Sequence, residues 1–551
     1  MAALALTFAA CGEDTEATST DPAGTYQIKT LVRGAPIHGA NGLAVDQEGR
    51  LLVASANGGE IVVLDTRTGT ILERLGVDSS VDVPDDVAVA PDGSIYWTDI
   101  QIGEVGRRTP GGSVTKQRVA FGVNPVTVSS DGRVFVAQAF WGDGVYELDP
   151  ELTEPPEVLI PDSGTPPFVE QLNGFDFGPD GMLYAPQPFK GQIIRIDPDT
   201  GEKTTIAQGL DNPPTSVEFD SLGNLYVTLR YEQVIRVDLE TGDHEVVAEI
   251  SGLVADNMAF DARDRMFVSD SDKGAVYTVA RGGGVRTLSK GGLILPGGVA
   301  LVEDQSGGES LFVGDFWRLV QLDPRSGREL GEDGITRLPG SIVESHSVAA
   351  DGGNLILTSW MSNAVQIWDP VDSEEVERFD DFAVPLNAIR FQGDLVVAQL
   401  GNQAQDVPPS VVRMDAAGTL SVLAENLQVP SGLAATDGDL WVADWAAGRV
   451  FRIVAGGEAL NPAEVVAEGL DGPEGMAVDD GSLLVVESGK DRLIRVDTTT
   501  GEVSTVVDGL ELGVKGSAGA PPAWALCGVA VGEDSTIYVT GDLGSVVYRI
   551  R

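Results

Sequence analysis

Residues 175–210 read FDFGPDGMLYAPQPFKGQIIRIDPDTGEKTTIAQGL, and this stretch decides the fold. Apolar and polar residues alternate in short runs, which are separated by turns rich in Gly, Asp and Pro. Such alternation is typical of antiparallel strands, and the Asp-Gly and Thr-Gly pairs favour hairpins between them. The stretch therefore predicts four consecutive antiparallel strands.

The same pattern recurs along the chain, as in GLAVDQEGRLLVAS (42–55), VEFDSLGNLYVTL (217–229) and MAVDDGSLLVVES (476–488). Repeats of this kind begin near residues 42, 87, 126, 174, 216, 257, 298, 347, 388, 432, 475 and 528. Four strands in roughly 40 residues form a propeller blade, and most propellers have about four to eight blades. The predicted fold class is all-β, with two tandem six-bladed β-propellers of four-stranded antiparallel blades.

The boundary between the two rings is indicated by a repeated pair of segments. Residues 29–45, KTLVRGAPIHGANGLAV, resemble residues 286–302, RTLSKGGLILPGGVALV. Each segment is interpreted as a lone outer strand before a first full blade, and the last repeat, ending VVYRIR, has only three strands. In the simplest arrangement each outer strand closes its own ring, so that propeller 1 spans 25–283 and propeller 2 spans 284–551. The sequence leaves open an exchange of the closing strands.

The first residues, MAALALTFAACGEDTEATSTDPAG, resemble a bacterial lipoprotein signal. This resemblance predicts a signal segment at 1–11, lipidation at Cys11 and a flexible linker at 12–24. We therefore expect an exported protein of the bacterial cell envelope, as a lipoprotein or as a periplasmic or extracellular protein.

The charge of the chain excludes some partners. It has 84 Asp and Glu against 36 Lys and Arg, a formal net charge of −48. Nucleic acid is excluded as a partner because phosphate binding needs clustered basic residues. Membrane contact is expected only through the lipid anchor, whereas a field of this sign concentrates divalent cations. We expect a monomer.

The repeat GLAVD-x-x-G-x-L-Y-V-x-D followed by V-x-R-I-D resembles the six-bladed superfamily of gluconolactonase/regucalcin-like, NHL-repeat, strictosidine synthase-like and paraoxonase-like proteins. The resemblance covers nearly the whole chain after residue 25 and implies two tandem copies of the fold. It implies no single function, because that superfamily includes metal-dependent hydrolases, a condensing enzyme and many interaction domains.

One face of each predicted ring carries the long loops 161–173, 399–410 and 511–528, and irregular loops on a rigid scaffold commonly bind ligands. On this face, the residue before each first strand should point to the central opening. In propeller 1 this column consists of Asn41, Asp85, Asn124, Asn173, Thr215 and Asp256. Carboxylate and amide oxygens around one axis suit Ca²⁺, and another divalent cation could also fit.

The family resemblance implies particular ligands. LNGFDFGPDG, with Asn173, resembles the Asn-Gly metal motif of the superfamily, and LVADNMAFD resembles the paraoxonase segment in which consecutive Asp and Asn bind calcium. The matching positions are Asn124, Asn173, Asp256 and Asn257, whereas Asn41 stands where the family has a Glu. His38, three residues earlier, is a candidate base for opening a lactone or ester beside a metal.

The corresponding column of propeller 2 has diverged and does not predict a calcium site. Tryptophans follow several second strands on the same face, and aromatic rings at a concave mouth suit sugars, flat ligands or partner side chains. The predicted ligand-binding residues are Trp317, His346, Trp360, Asn387, Trp445 and Glu474. A softer metal site of His346, Glu474 and Cys527 is an alternative.

Two functional hypotheses follow. The first is an exported, lipid-anchored binding or scaffold protein with Ca²⁺ at the mouth of propeller 1 and a small molecule, glycan or protein at the loop face. The alternative is a metal-dependent hydrolase of lactones or esters with its site in propeller 1.

Overall fold

The computed structural model describes residues 18–20, 26–303, 307–334, 341–402, 406–514 and 526–551. The predicted signal segment 1–11, with Cys11, lies outside the described residues, as does most of the predicted linker 12–24. Within that linker the structure places a short strand, β1 (Thr18–Thr20). In the described part of the chain, no helix is long and apolar enough to span a membrane.

The structure is all-β, as predicted. The described residues form 48 strands, and their helices are single 3₁₀ turns at Val77–Ser79, Pro188–Lys190 and Ser488–Lys490. The strands build nine four-stranded sheets, one five-stranded sheet and one seven-stranded sheet. They belong to two compact units.

The N-terminal unit, Gly34–Leu295, contains six groups of four antiparallel strands, named A1 to A6. A1 contains β3 (Leu43–Val45), β4 (Arg50–Ser55), β5 (Glu60–Asp65) and β6 (Ile71–Leu75); A2 contains β7 (Pro84–Val89), β8 (Ile95–Asp99), β9 (Glu104–Arg108) and β10 (Val114–Arg118); A3 contains β11 (Val123–Val128), β12 (Val134–Gln138), β13 (Val145–Leu148) and β14 (Glu157–Ile160); A4 contains β15 (Asp176–Phe177), β16 (Leu183–Gln187), β17 (Gln192–Ile196) and β18 (Lys203–Gln208); A5 contains β19 (Pro214–Phe219), β20 (Leu225–Leu229), β21 (Tyr231–Val237) and the first part of β22 (His244–Phe260); A6 contains the rest of β22 with β23 (Met266–Asp270), β24 (Ala275–Val279) and β25 (Val285–Ser289).

The long strand β22 makes A5 and A6 one seven-stranded sheet. Its residues 244–254 pair with β21, and its residues 255–260 pair with β23. The seven-stranded sheet therefore holds two four-stranded groups that share one strand.

The C-terminal unit contains β2 (Gln27–Arg33) together with the described residues of 296–513 and 526–551, and its groups are named B1 to B6. B1 contains β26 (Pro296–Glu303), β27 (Glu309–Asp315), β28 (Arg318–Leu322) and β29 (Glu329–Gly334); B2 contains β30 (Ser347–Asp351), β31 (Asn354–Ser359), β32 (Ala364–Asp369) and β33 (Glu374–Phe379); B3 contains β34 (Pro385–Phe391), β35 (Asp394–Gln399), β36 (Ser410–Met414) and β37 (Leu420–Glu425); B4 contains β38 (Pro430–Ala435), β39 (Leu440–Asp444), β40 (Arg449–Ala455) and β41 (Glu458–Glu468); B5 contains β42 (Pro473–Asp479), β43 (Ser482–Glu487), β44 (Arg492–Asp497) and β45 (Val503–Asp508); B6 contains β46 (Val529–Val531), β47 (Ile537–Gly541), β48 (Val546–Ile550) and β2, with β1 at its edge.

Within each unit, neighbouring groups follow one another in a closed order. The first strands contact each other in the series β3, β7, β11, β15, β19 and β22, and β22 contacts β3 again. In the C-terminal unit the series is β26, β30, β34, β38, β42 and β46, and β46 returns to β26. The cores lie between successive groups: Phe135 of β12 and Leu183 of β16, for example, belong to one buried cluster.

In the acidic hairpins, the Asp side chains stabilise the turn itself. The Asp197 carboxylate accepts the N–H groups of Asp199 at 2.9 Å and of Thr200 at 3.0 Å. Gly201 follows at a φ of 72°, which glycine adopts without the strain that a side chain would cause. The Asp side chain of such a turn therefore accepts hydrogen bonds from main-chain N–H groups of the same turn.

The ring closure differs from the simplest arrangement. The strand β2, predicted to close the first ring, pairs with β48 at the end of the chain, and β25 completes A6 by pairing with β24. The boundaries of the units are shifted accordingly from 25–283 and 284–551. A6 closes through the short hairpin after Val279, where the Ala280 N–H donates to the Gly284 carbonyl at 2.9 Å. Closing the short hairpin between β24 and β25 costs less conformational entropy than closing the roughly 240 residues that separate β2 from β24.

We expect β2 to stabilise the C-terminal unit. Ile28 is buried with Ile550 and Tyr548, so Ile28→Ala should destabilise that unit by about 2–4 kcal/mol. Leu288→Ala is the matched control, because Leu288 is buried in the N-terminal unit with Phe267 and Val276. Hydrogen exchange followed by mass spectrometry should show faster exchange in peptides from 476–550 for Ile28→Ala and in peptides from 43–279 for Leu288→Ala. The reverse distribution would contradict the strand exchange.

Candidate functional site

The candidate site lies where the first strands of the N-terminal unit begin. The strand register shifts there between Pro84 and Val87 in A2, and between Ala255 and Met258 in A6. A shift of this kind is a β-bulge, which bends the strand and re-aims side chains near functional sites. It lies at two pairs of consecutive polar residues, Asp85 with Asp86 and Asp256 with Asn257.

Three of the predicted ligands come together at this site. The Asn173 side chain is hydrogen-bonded to the Asp256 carboxylate, and the Asp256 charge acts on buried Asp85. Burial and the charges of Asp256 and Asp86 raise the pKa of Asp85 well above its usual range. Burial also raises the pKa of Asp256 to about 6, although the Arg230 guanidinium and the Asn173 bond oppose this shift. The carboxylates of buried Asp85 and half-buried Asp256 therefore repel each other where these strands begin, a region that we call the mouth.

Asn257 is tied to a residue that sequence reasoning missed. Its Nδ2 donates to Asp86 Oδ1 at 3.0 Å, while its Oδ1 accepts the Met258 N–H at 2.9 Å. Asp86 also accepts the N–H groups of Val87 at 2.9 Å and Val126 at 3.0 Å. Burial nevertheless raises the pKa of Asp86 to about 7. The sequence contained a sign of this role, because Asp86 follows the column residue Asp85 just as Asn257 follows Asp256.

Hydrogen bonds fix the chain near the start of three first strands, at Asn41, Asn124 and Thr215. The Asn41 carbonyl accepts the Ser269 hydroxyl at 2.6 Å, and the Asn124 carbonyl accepts the Thr98 hydroxyl at 2.5 Å. The Thr215 hydroxyl lies 2.9 Å from the hydroxyl of Thr228. The main chain at these positions is thus fixed by hydroxyls from neighbouring strands.

A basic residue, Arg230, also lies at this mouth and was not predicted. It follows β20 and contacts Asp272 at 3.2 Å, Ser271 Oγ at 3.2 Å and the Ala255 carbonyl at 3.3 Å. Arg230 therefore fixes the segment that leads into Asp256.

His38 lies in the segment leading to Asn41. Its carbonyl accepts the Ser55 hydroxyl at 3.0 Å. Its side chain lies against Gly58, since a Cβ added there would be 3.2 Å from His38 Cβ. The predicted base is therefore fixed beside the loop that follows β4.

Below the mouth, the inner strands enclose a cavity of about 180 Å³ whose lining includes Asp86, Asp176 and Glu218. Asp176 accepts the N–H groups of Phe177 at 2.7 Å and Phe219 at 3.4 Å, which joins A4 to A5. Burial raises the pKa of Asp176 to about 6, and burial with the charges of Asp176 and Asp86 raises that of Glu218. These carboxylates link neighbouring inner strands.

The donor set at the mouth is rich in oxygen, and this suits Ca²⁺. No three His, Cys, Asp or Glu side chains of the described residues are grouped closely enough to hold a metal. A cation at this mouth would therefore need amide or main-chain oxygens in addition to Asp85 and Asp256. Asn173 offers such an oxygen beside Asp256, so the residues fit the group.

In the C-terminal unit, three predicted residues form one aromatic group. His346 stacks on Trp360 with centroids 4.8 Å apart and meets the edge of Phe316 at 4.9 Å, and Phe316 contacts Trp317 at 4.6 Å. His346 is 2% exposed, and within the described structure neither ring nitrogen has a hydrogen-bond partner. Burial lowers the pKa of His346 to about 3, so the ring is neutral.

Asn387 lies beside this group. Its Nδ2 donates to the hydroxyl of Ser347, the residue after His346, at 2.9 Å. Within the described chain its buried Oδ1 has no hydrogen-bond partner. Asn387 thus joins B3 to B2 next to His346.

Glu474 lies in a separate buried cluster. The Cys527 N–H donates to Glu474 Oε2 at 2.7 Å, and the Cys527 thiol donates to Asp542 Oδ1 at 3.1 Å. Burial and the Asp542 charge raise the pKa of Glu474 to about 8. Trp445 packs instead beside Gly472, where an added Cβ would be 2.8 Å from its Nε1.

The alternative soft-metal site of His346, Glu474 and Cys527 is wrong for the described residues, which contain no such group. The physical reason is that the Cys527 N–H donates to Glu474 and its thiol donates to Asp542, while aromatic rings flank His346.

Comparisons with known proteins give partial matches. No family model matches the chain. The lactonase drp35 of Staphylococcus epidermidis is 32% identical over 76 residues, 14% of this chain and 22% of that protein. The match thus covers 22% of the length of these curated relatives, or about a fifth.

Several solved structures are also similar. A gluconolactonase of Xanthomonas campestris has a TM-score of 0.36 at 19% identity, covering 45% of this chain and 88% of its own. Virginiamycin B lyase of Staphylococcus aureus has a TM-score of 0.24 at 13% identity, and the match covers 60% of this chain and 96% of the lyase. An extracellular domain assigned to a hybrid two-component system of B. thetaiotaomicron has a TM-score of 0.33 at 11% identity, and the match covers 98% of this chain and 82% of that domain. All three scores are below 0.5, and the all-β architecture follows from the strand pairing of this structure.

The Asp176 carboxyl should make the N-terminal unit less stable as pH rises. Its folded pKa of about 6 exceeds the ordinary value of 3.8, so the folded state binds more protons and stability falls between these two pH values. The slope should be at most about 1.4 kcal/mol per pH unit. Asp176→Asn should flatten it, whereas Asp243→Asn, which removes an exposed charge from the same unit, should not. Urea unfolding followed by hydrogen exchange of peptides from 175–219 measures this, and an unchanged slope in Asp176→Asn would contradict it.

Proposed function

We propose that each unit is a six-bladed β-propeller, and that the chain is an exported binding protein whose first propeller holds a divalent cation at its mouth. The closed series of first strands supports six blades in each unit. The seven-stranded sheet contributes two blades, because β22 changes partners between residues 254 and 255. The lipoprotein-like start of the chain supports export, with a lipid anchor at Cys11.

One observation carries the cation proposal: Asn257 Nδ2 donates to Asp86 Oδ1 at 3.0 Å, which joins A6 to A2 on either side of A1. Asp256 and Asp85 directly precede these two residues, and their like charges act on each other. Burying two carboxylates together costs free energy unless a positive charge compensates them. Arg230 acts on Asp256, but Asp272 shares its guanidinium. A divalent cation between Asp85 and Asp256 would remove the remaining repulsion.

Calcium fits this site best among the divalent cations. Asp85, Asp256 and Asn173 would hold it, with Asn41 and Asn124 at the neighbouring column positions. Asn257 and Asp86 would orient the site rather than bind directly, since Asn257 Oδ1 and both Asp86 oxygens already accept main-chain N–H groups. Ca²⁺ accepts carboxylate, amide and water oxygens in flexible geometry, whereas Mg²⁺ demands a near-ideal octahedron.

The second propeller would provide the recognition surface. Trp317 and Trp360, with His346 between their blades, form an aromatic group on the face of the long loops. The unpaired His346 nitrogens and Asn387 Oδ1 give this group polar atoms that a ligand could satisfy. A small molecule, glycan or partner side chain would bind there.

Calcium should raise the thermal midpoint of the wild-type protein. Binding to the folded state alone adds about 2.7 kcal/mol when free Ca²⁺ exceeds Kd a hundredfold. Asp256→Asn should abolish this gain and should raise the midpoint without calcium, because it removes the repulsion at Asp85. Asp243→Asn, the surface control, should keep the calcium response. A wild-type midpoint that does not change on calorimetric titration with Ca²⁺ would exclude the cation site.

The alternative function is a metal-dependent hydrolase of lactones or esters. Its specific support is the local identity to a lactonase, 32% over 76 residues, together with His38 close to the proposed ligand Asn41. A bound metal would polarise the substrate carbonyl. His38 would act as the proton acceptor.

A panel of lactones and aryl esters separates the two functions. A hydrolase should turn over at least one substrate, lose that activity with a chelator and regain it with Ca²⁺. His38→Gln should then lower kcat by about a hundredfold or more, while Ca²⁺ stabilisation stays intact. If no substrate shows chelator-sensitive turnover while Ca²⁺ still stabilises the protein, the hydrolase function fails and the binding function remains.

A further inference from the structure

The N-terminal unit exposes a group of three aromatic rings that the site does not use. Phe121, Phe140 and Trp141 are 47%, 45% and 45% exposed. Their ring centroids lie 4.8 Å apart for Phe121 and Trp141, and 5.9 Å apart for Phe140 and Trp141. We call these three residues the aromatic edge. Contiguous exposed apolar surface of this kind marks interaction sites, because it costs free energy in water.

The aromatic edge is held rigidly by its neighbours. The Ala139 N–H donates to the Gly122 carbonyl at 2.8 Å, and Gln138 Nε2 donates to the Phe121 carbonyl at 2.9 Å. The Phe140 N–H donates to Gln171 Oε1, from the segment that leads to A4. Phe140 itself has a φ of 63°, a left-handed conformation that is strained for a bulky residue. The surrounding structure therefore holds strained backbone in a form that presents these rings to solvent.

Acidic residues accompany the aromatic edge. The segments 119–124, 138–144 and 161–173 contain Asp143, Asp162 and Glu170 and no Lys, Arg or His. Glu170 is paired with Lys190. Asp143 and Asp162 are linked through the loop, since Asp143 Oδ1 accepts the Ser163 N–H at 2.7 Å and Asp162 Oδ1 accepts the Asp143 N–H at 3.4 Å. Among the described residues, neither forms an ion pair.

We infer that the aromatic edge, with the exposed carboxylate of Asp162, docks a basic segment of a partner polypeptide. Lys and Arg side chains bind the faces of Trp and Phe rings by cation–π attraction, and the Asp162 carboxylate supplies the opposite charge. Asp143 is buried and holds the loop that carries Asp162. The net charge of −48 adds long-range attraction that speeds the encounter with a cation and repels anionic surfaces. The inference does not depend on the proposed cation site.

Binding of a fluorescent oligo-arginine peptide to the full chain, followed by anisotropy, tests this surface. Trp141→Ala leaves the net charge unchanged and should weaken binding about fivefold or more, whereas Trp141→Phe should retain most of the affinity. Tyr231→Ala is the control, since Tyr231 is also exposed, at 42%, but lies outside the aromatic edge. It should bind as the wild type does.

The charge contribution is tested with a matched pair of variants at exposed positions. Asp162→Asn should weaken binding and reduce its salt dependence more than Asp243→Asn, which removes the same charge from an exposed position elsewhere in the unit.

Two results would overturn the inference. If Trp141→Ala binds the peptide as tightly as the wild type, the attraction is due to overall charge and the aromatic edge is not the docking site. If a neutral oligosaccharide binds in a Trp141-dependent way while the peptide does not, the occupant is a glycan instead.

Discussion

Closure is the constraint on which this structure depends. A series of sheets that returns to its start must join its last group to its first, and the C-terminal unit does so at B6, where the chain ends after three strands. The strand β2, from the beginning of the chain, supplies the fourth position by pairing with β48. It buries Ile28 against Ile550 and hydrogen-bonds Gln27 to Arg551 in both directions. The strand β2 thus packs in the same core as β48, although more than 500 residues separate them in the sequence.

The interior of the N-terminal unit shows what closure requires at the centre. First strands converge there, and their main-chain groups do not all find partners within their own sheet. Asp86 and Asp176 each accept an N–H from the next group, at Val126 and Phe219. Buried main-chain donors must be satisfied, so these carboxylates are retained although burial disfavours their charge. The centre is therefore acidic for structural reasons, and that charge is also what a divalent cation would need.

The two candidate surfaces of the N-terminal unit differ in their physics. At the mouth, Asp85 is buried and Asp256 half-buried, so their repulsion is strong and the proposed cation would relieve it. At the aromatic edge the rings are half exposed and the carboxylate of Asp162 faces solvent, so the attraction for a large partner is distributed over several weak contacts. The bulges at the start of the first strands direct the side chains of the mouth. The left-handed backbone at Phe140 presents the rings of the aromatic edge to solvent.

By itself, the sequence determined the features that depend on neighbouring residues. Alternation with period two and Asp-Gly turns act over a few residues, so the strands and their grouping in fours could be predicted. The column itself stays a prediction: Asp85 and Asp256 lie inside their strands beside a bulge, whereas Asn173 lies three residues before β15. Other features were decided only by tertiary structure. The partner of β2, the link of Asn257 to Asp86 and the place of Arg230 all join residues distant in sequence, and no local pattern specifies which of several similar strands will pair. Free energies of closure and burial make that choice, and they act on the folded ring as a whole.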